Sequence, residues 1–197
     1  SIMEILTNFS DQELISSYLD GNTDAVSILV SRHKDKIFTS IYLLVKDKYL
    51  AEDLFQDTFF KIIDTFRNGK YKEEGKFLPW AVRIAHNLCI DHFRKTKRTA
   101  SIQISENDDF QEMLSLSEKG ADEHMIAHQS HSDLRKMIAT LPEEQQEVII
   151  LRHYADMTFK EIATLTNCSI NTALGRMRYG LLNLRKMMGV DISLQHN

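Results

Sequence analysis

The chain has 197 residues, 43% of them hydrophobic, with a formal net charge of −4. That length suits one large domain or two small ones, and the apolar content excludes a disordered polymer. No apolar run approaches the roughly 20 residues of a membrane span, and no basic-then-apolar leader opens the sequence, so a cytoplasmic protein without membrane insertion is expected.

Two prolines and seven glycines leave long helices permitted almost everywhere. Ser10 and Glu13 form a capping box that starts the first predicted helix. Leu14, Ile15, Tyr18 and Leu19 follow at helical spacing, and Asp20-Gly21-Asn22 ends it. A second helix is predicted from about Asp24 to Lys46, a third from a cap at Asp47 to Arg67, and a fourth from Phe77 to Arg98. Asn68 to Gly75 is a polar loop between the last two. These four helices are expected to make one bundle. Its fourth helix has Trp80, Ile84, Leu88, Ala81 and Ala85 as the inner stripe.

Residues 99–132 read differently, as an acidic, serine-rich flexible linker. Beyond it Leu134, Met137, Ile138 and Leu141 share a helical face, and Pro142 suits the first position of the next helix. Thr158 and Glu161 form another capping box before Ile162, Ala163 and Leu165. A short break at Thr166-Asn167-Cys168 leads to Ser169, a good N-cap for a last helix ending near Met188. Two helices joined by so short a turn, the second basic, are a helix-turn-helix candidate. The fold class is therefore all-α: an N-terminal four-helix domain (5–98), a flexible linker (99–132), a C-terminal helix-turn-helix domain (133–188) and a tail (189–197).

The net charge conceals a segregation. Residues 1–60 hold ten acids against five Lys/Arg, and residues 101–133 hold eight acids against one lysine. Residues 76–98 hold six Lys/Arg against one acid, and residues 170–188 hold four Lys/Arg and no acid. Two basic segments on an acidic protein point to two nucleic-acid surfaces. On the fourth helix Arg83, Asn87, Arg94 and Arg98 fall on one side, with Lys95 and Lys97 widening its basic end. Tyr71, Phe77 and Trp80 supply rings on which single-stranded bases can stack. On the last helix Ile170, Ala173, Met177, Leu181, Leu184 and Met188 form a core stripe. The opposite side carries Asn171, Thr172, Gly175 and Tyr179, flanked by Arg176 and Arg178, residue types that read base edges in a major groove. Gly175 in a helix interior is consistent with close backbone approach.

Three segments carry a family resemblance. Ala51-Glu52-Asp53-Leu54-Phe55-Gln56-Asp57-Thr58-Phe59 resembles the segment by which bacterial sigma factors hold core RNA polymerase. Phe77-Leu78-Pro79-Trp80-Ala81-Val82-Arg83-Ile84-Ala85-His86-Asn87-Leu88, followed by Asp91-His92-Phe93-Arg94-Lys95, resembles their promoter-melting helix. Leu141-Pro142-Glu143-Glu144 with Phe159-Lys160-Glu161-Ile162-Ala163 resembles the start of their minus-thirty-five-reading domain. The order and spacing resemble the extracytoplasmic-function group of sigma factors, which lack the extra domains of housekeeping members.

The resemblance implies that Glu52, Asp53, Leu54, Gln56, Asp57 and Phe59 meet core RNA polymerase. It implies that Asn68, Lys70 and Tyr71, with Trp80, Arg83, Asn87, Arg94, Lys95 and Arg98, bind and melt the minus-ten element, the loop capturing a flipped base. It implies that Lys160, Ser169, Asn171, Thr172, Gly175, Arg176, Arg178 and Tyr179 bind the minus-thirty-five duplex. It also implies an anti-sigma factor as a further partner. Leu174 and Gly175 stand where family members often carry Lys or Arg and serine, so no promoter sequence follows.

Two other readings compete. A polymerase-independent helix-turn-helix regulator would sense a ligand or dimerise through its first domain and bind a palindromic duplex. His124, His128 and His131, at i, i+4 and i+7, could share a helical face and hold zinc, but Met125 occupies the position of the zincin glutamate. Neither a Ser/His/Asp arrangement nor a phosphate-binding glycine loop nor a CxxC pair occurs. No metal, cofactor or catalytic activity is expected, and Cys89 and Cys168 are expected as reduced thiols.

Overall fold

The computed structural model describes residues 1–99 and 125–189, with Arg98, Thr99 and residues 125–132 described by backbone alone. Among the described residues every regular element is a helix. They are α1 (Ile2–Thr7), α2 (Asp11–Leu19), α3 (Thr23–Val45), α4 (Lys48–Arg67), α5 (Phe77–Thr99), α6 (Met125–Thr140), α7 (Glu143–His153), α8 (Phe159–Leu165) and α9 (Ile170–Met187). The chain divides into two compact units, the first built from α1, α2, most of α3, α4 and α5, the second from α6 to α9.

The first unit has five helices where four are expected. The addition is α1, a single short helix whose Ser1–Glu4 capping box starts it and whose Leu6 is its one buried residue. Six residues are too few to show a helical period, so pattern reading passes over it. The Ser10–Glu13 box forms as expected, with Ser10 Oγ accepting the Glu13 N–H at 3.1 Å and Glu13 accepting that of Ser10.

Helix ends follow one rule here. After α2 the Asn22 N–H reaches Ser17 O and the Gly21 N–H reaches Tyr18 O, with Gly21 at φ +106°. After α4 Lys70 bonds to Thr65 and Gly69 to Phe66, with Gly69 at φ +66°. Both are Schellman stops, in which a left-handed residue turns the chain back onto the last free carbonyls.

Leu14, Ile15, Leu29, Ile37, Ile41, Leu54, Ile62, Phe66 and Phe77 are buried in the first unit. Leu19, expected on the apolar face of α2, is mostly exposed. On α5 the deepest positions are Leu78, Ala81, Val82, Ala85, His86 and Cys89, while Trp80, Ile84 and Leu88 are half-buried. The inner stripe is thus rotated from the expected one, because small side chains let α5 sit close and push its large ones to the edge of the contact. Burial pushes the Cys89 thiol up to about 12, which leaves it an inert core residue.

Asp11, at the start of α2, ties that helix to α3. Its carboxylate meets Arg32 Nη1 at 2.9 Å and His33 Nε2 at 2.8 Å. Burial works to raise its pKa, but the bonds and charges of His33 and Arg32 together outweigh burial and hold it below the usual value.

In the second unit Ile138, Leu141, Ile149, Ile150 and Leu184 form the core, with Leu134, Met137, Tyr154 and Met177 half-buried around it. Pro142 is the N-cap of α7 rather than its first residue; its extended ψ of 142° keeps it just outside the helix. α6 begins within the segment expected to be linker; residues 100–124 of that segment, and the tail beyond 189, lie outside the described residues. The turn from α8 to α9 repeats the Schellman stop, with Asn167 at φ +58° and the Cys168 N–H on Ala163 O. Asparagine tolerates that conformation better than most residues.

The core line of α9 runs through Ala173, Met177, Gly180 and Leu184. Ile170, Leu181 and Met188, expected on it, are 45%, 37% and 57% exposed. Gly180 is the point of closest approach, where a Cβ would lie 2.7 Å from Ile149 Cδ1 and 3.4 Å from Gln145 Cβ. Gly175 has nothing within 4 Å of its Cβ position, so no described residue of the chain itself requires a glycine there.

Two expectations follow. In urea melts Gly180→Leu should lose about 1–3 kcal/mol through overpacking, while Gly175→Ala should gain about 0.5–1 kcal/mol from helix propensity. Asp11→Asn should weaken the first unit at neutral pH. Because the folded pKa of Asp11 is depressed, its contribution is present above the unfolded value of about 4 and lost as pH falls through the folded one. The gap between wild type and variant in pH-resolved melts should therefore close on acidification.

Candidate nucleic-acid interface

Three exposed surfaces are built on these helices. On α4, Leu54 and Thr58 face the core, and Phe59 lies half-buried with its ring 4.9 Å from Phe55. Leu54, expected among the contact residues, is only 6% exposed. Its part is to hold the helix in place from within. Glu52, Asp53, Gln56 and Asp57 are exposed together. With them stand two aromatics missed by motif reading, Tyr49 at 78% and Phe60 at 72% exposure. Tyr49, Asp53, Gln56 and Phe60 are spaced i, i+4, i+7 and i+11, which at about 100° per residue is one narrow stripe. Large exposed rings framed by carboxylates are the kind of surface that protein docking uses. The signal was available in principle, since Phe60 falls opposite Leu54 and Phe66 on the helical wheel.

The second surface joins the loop between α4 and α5 to α5 itself. Asn68 and Lys70 are exposed; Tyr71 and Trp80 are half-buried. The Tyr71 ring lies edge-on to Trp80 at 4.6 Å and to Phe66 at 5.1 Å, and Trp80 stacks on Phe66 at 5.8 Å. Burial, and then the neighbouring Glu73 carboxylate, push the Tyr71 phenol above its ordinary pKa, so it stays a protonated donor. From this aromatic corner the exposed side chains Arg83, Asn87, Arg94, Lys95 and Lys97 run along α5. The side chain of Arg98, the last of that row, lies outside the described residues. Phe93, partly exposed beside His92 at 6.1 Å, adds an aromatic to the basic row.

The third surface is the helix-turn-helix. Thr158 caps α8 through its box with Glu161, and Arg152 ties the preceding turn by donating to Met157 O at 2.8 Å while lying 5.0 Å over Phe159. Lys160 is exposed on α8. Ser169 caps α9, its Oγ accepting the Thr172 N–H at 3.1 Å and donating to Thr172 Oγ1 at 2.9 Å. These two hydroxyls therefore serve first to start the helix. Asn171, Arg178 and the half-exposed Gly175 share one side, with exposed Leu174 beside them and Tyr179 at 62% exposure on the flank. Arg176 differs from Arg178: its Nη2 is 3.5 Å from Glu144 Oε1 on α7, and it turns towards the body of the unit.

Of the histidine trio, His124 and the side chains of His128 and His131 lie outside the described residues. Among the described residues no three His, Cys, Asp or Glu side chains are grouped to hold a metal, and no helix is long and apolar enough to cross a membrane.

Comparisons with known proteins identify the family. Residues 29–99 match the family described as Sigma-70 region 2, and residues 131–176 match Sigma-70 region 4. The chain is 27% identical over 175 residues to the ECF RNA polymerase sigma factor SigW of Bacillus subtilis, covering 85% of this chain and 91% of that protein. It is 25% identical over 195 residues to the RNA polymerase sigma-H factor of Pseudomonas aeruginosa, covering 97% of each. Its fold is similar to that of the sigma factor RpoE of Bartonella quintana, solved in complex with the anti-sigma factor NepR. That match has TM-score 0.61 at 19% identity and covers 84% of this chain and 98% of that one. CnrH, solved with the cytosolic domain of CnrY, matches with TM-score 0.59 at 19% identity over 93% of this chain and 99% of that one. With both sigma regions present in order, and each supporting a basic helical face, the chain belongs to the sigma-70 family as an extracytoplasmic-function sigma factor, a transcription initiation factor that is not itself an enzyme.

Proposed function

We propose that this sigma factor grips core RNA polymerase through α4, captures and opens the minus-ten element with the 68–76 loop and α5, and docks α8 and α9 on the minus-thirty-five duplex. The observation that carries this reading is the division of α5 and α9. Each buries small or apolar side chains on one side and exposes Arg, Lys and Asn on the other.

The chemistry of each surface suits its task. Glu52, Asp53 and Asp57 give orientation and on-rate against a basic polymerase surface, while Tyr49 and Phe60 supply the apolar contact that holds it. Unstacking a base costs a few kcal/mol, comparable with the roughly 1–3 kcal/mol a ring contact returns. One ring is therefore not enough, and the row from Tyr71 and Trp80 through Arg83, Asn87, Arg94 and Lys95 shares the work. On α9, Asn171 and Arg178 are placed for base edges, and Lys160 and Arg176 for phosphates. Two similar proteins of known structure are bound to the anti-sigma factor NepR and to the cytosolic domain of CnrY. By likeness, an anti-sigma factor holds this chain inactive in the cytoplasm by covering the same surfaces.

Run-off transcription from genomic DNA with purified core polymerase tests the whole reading. Discrete transcripts should appear with the protein. They should fall at least tenfold with Asp53→Arg, and clearly with Phe60→Ala, while circular dichroism stays unchanged. No transcripts, together with tight binding to intact palindromic duplex by the protein alone, would instead make it an independent regulator. On the minus-thirty-five duplex, holoenzyme carrying Arg178→Ala should lose about 1–3 kcal/mol with relaxed preference at one base pair. Arg176→Ala should weaken all sequences alike, as measured by competition against a duplex library.

A further inference from the structure

The last helix, α9, presents an apolar side chain that neither the core nor the reading above uses. Leu174 is 43% exposed, and Ile170, one turn before it, is 45% exposed. The core line of α9 passes to one side of Leu174, through Ala173, Met177, Gly180 and Leu184. Taken singly, an exposed leucine needs no explanation. This one stands among side chains that give it a use.

Helical pitch fixes those neighbours. At about 100° per residue, Leu174 lies about 40° from Arg178 and about 60° from Asn171, the two side chains placed for base edges. All three are exposed. Asn171 and Arg178 are separated by a rise of about 10 Å, which fits within a major groove about 12 Å wide. Leu174 falls between them along the axis, so a groove that admits both admits it too. No acid occurs in residues 170–188 to repel the phosphates on either side. Gly175 follows with nothing within 4 Å of its Cβ position, so the helix surface beside Leu174 is bare on that flank and open to a close approach.

The chemistry of the groove then selects the contact. Most groups on the base edges there are hydrogen-bond donors or acceptors, which a leucine cannot satisfy and would strip of water. The apolar group the groove offers is the 5-methyl of thymine. Against it Leu174 loses exposed apolar surface and leaves no polar group unpaired.

We infer that Leu174 is a specificity-determining residue of α9, recognising the 5-methyl group of a thymine beside the base pairs met by Asn171 and Arg178. This assignment rests on the reading of α9 as the helix that docks on the minus-thirty-five duplex, and adds to it an apolar contact with a methylated pyrimidine.

Deoxyuridine isolates the contact, because it pairs as thymine does and lacks only the methyl group. Duplexes are first selected from a randomised library by holoenzyme reconstituted from the full chain and core polymerase. Each thymine of the selected sequence is then replaced by deoxyuridine, one at a time. Affinity is measured by fluorescence anisotropy, with core alone subtracted. At one thymine the replacement should weaken binding about three- to fivefold, the effect of one methyl group removed from water. In Leu174→Ala the same replacement should change affinity by less than about 1.5-fold, because the side chain that covers the methyl is gone. Leu174 is exposed, so the variant should keep the circular dichroism spectrum and melting temperature of wild type. If Asn171→Ala and Arg178→Ala both leave affinity for the selected duplex unchanged, α9 does not read it, and the reading on which the assignment rests fails with it. If those variants weaken binding but no deoxyuridine does, or if the deoxyuridine penalty persists in Leu174→Ala, α9 still docks on the duplex and the assignment of Leu174 is overturned.

Discussion

Phe66 anchors the first unit. It is buried at the end of α4, and its ring meets Tyr18 of α2 at 6.2 Å, Tyr71 of the loop at 5.1 Å, Phe77 at 6.3 Å and Trp80 at 5.8 Å. Aromatic pairs of this kind add about 0.5–1.5 kcal/mol each beyond simple burial. Their greater effect is geometric. Four rings from three other segments converge on one side chain, so the loop cannot shift without disturbing α2 and the start of α5. The half-exposed faces of Tyr71 and Trp80 are held in place by the buried ring behind them. A polar loop of nine residues would otherwise have no reason to hold one conformation.

The same economy governs the long helices. α4 buries Ala51, Leu54, Thr58, Ile62 and Phe66 along one line, which leaves Asp53, Gln56, Asp57 and the rings of Tyr49 and Phe60 facing outward together. α5 buries alanines, Val82, Cys89 and His86, and the close packing that small residues allow presents the other side as a continuous basic row. A helix has room for only two such faces, and packing one determines what the other can display. The charge segregation along the chain therefore becomes a segregation in space within each helix.

In the second unit the corresponding constraint is the closeness of α7 and α9. Gly180 lets Ile149 approach the α9 backbone, and Asn183 donates to Gln145 at 2.8 Å one turn further on. Once α9 is held at that line, its first turns project Asn171, Gly175 and Arg178 outward. The Ser169 cap and the Asn167 turn hold the angle between α8 and α9. Arg176, held by Glu144, belongs to the flank of this surface rather than to its centre.

Much of this was legible in the chain itself. Capping boxes at Ser10 and Thr158, the stops at Gly21 and Asn167, and the cap at Ser169 are local, because each depends on residues within a turn of one another, and sequence determined them. So did the placing of basic residues on α5 and α9, because helical pitch alone assigns them a side. What the sequence could not determine was which apolar residues the partners would cover. Trp80, Ile84 and Leu88 looked like core together with Ala81 and Ala85, yet of these only the alanines are fully buried, joined by Val82 and Cys89. Ile170 and Leu181 looked like core, yet Gly180 takes their place. Gly175 and Gly180 are alike as letters, and only the approach of Ile149 distinguishes them. The pairing of Arg176 with Glu144 likewise joins groups whose meeting depends on how the chain packs. Local hydrogen bonding and helical period act within a few residues and can be read along the chain. Burial and partner choice are set by contacts across it, and only the tertiary structure decides them.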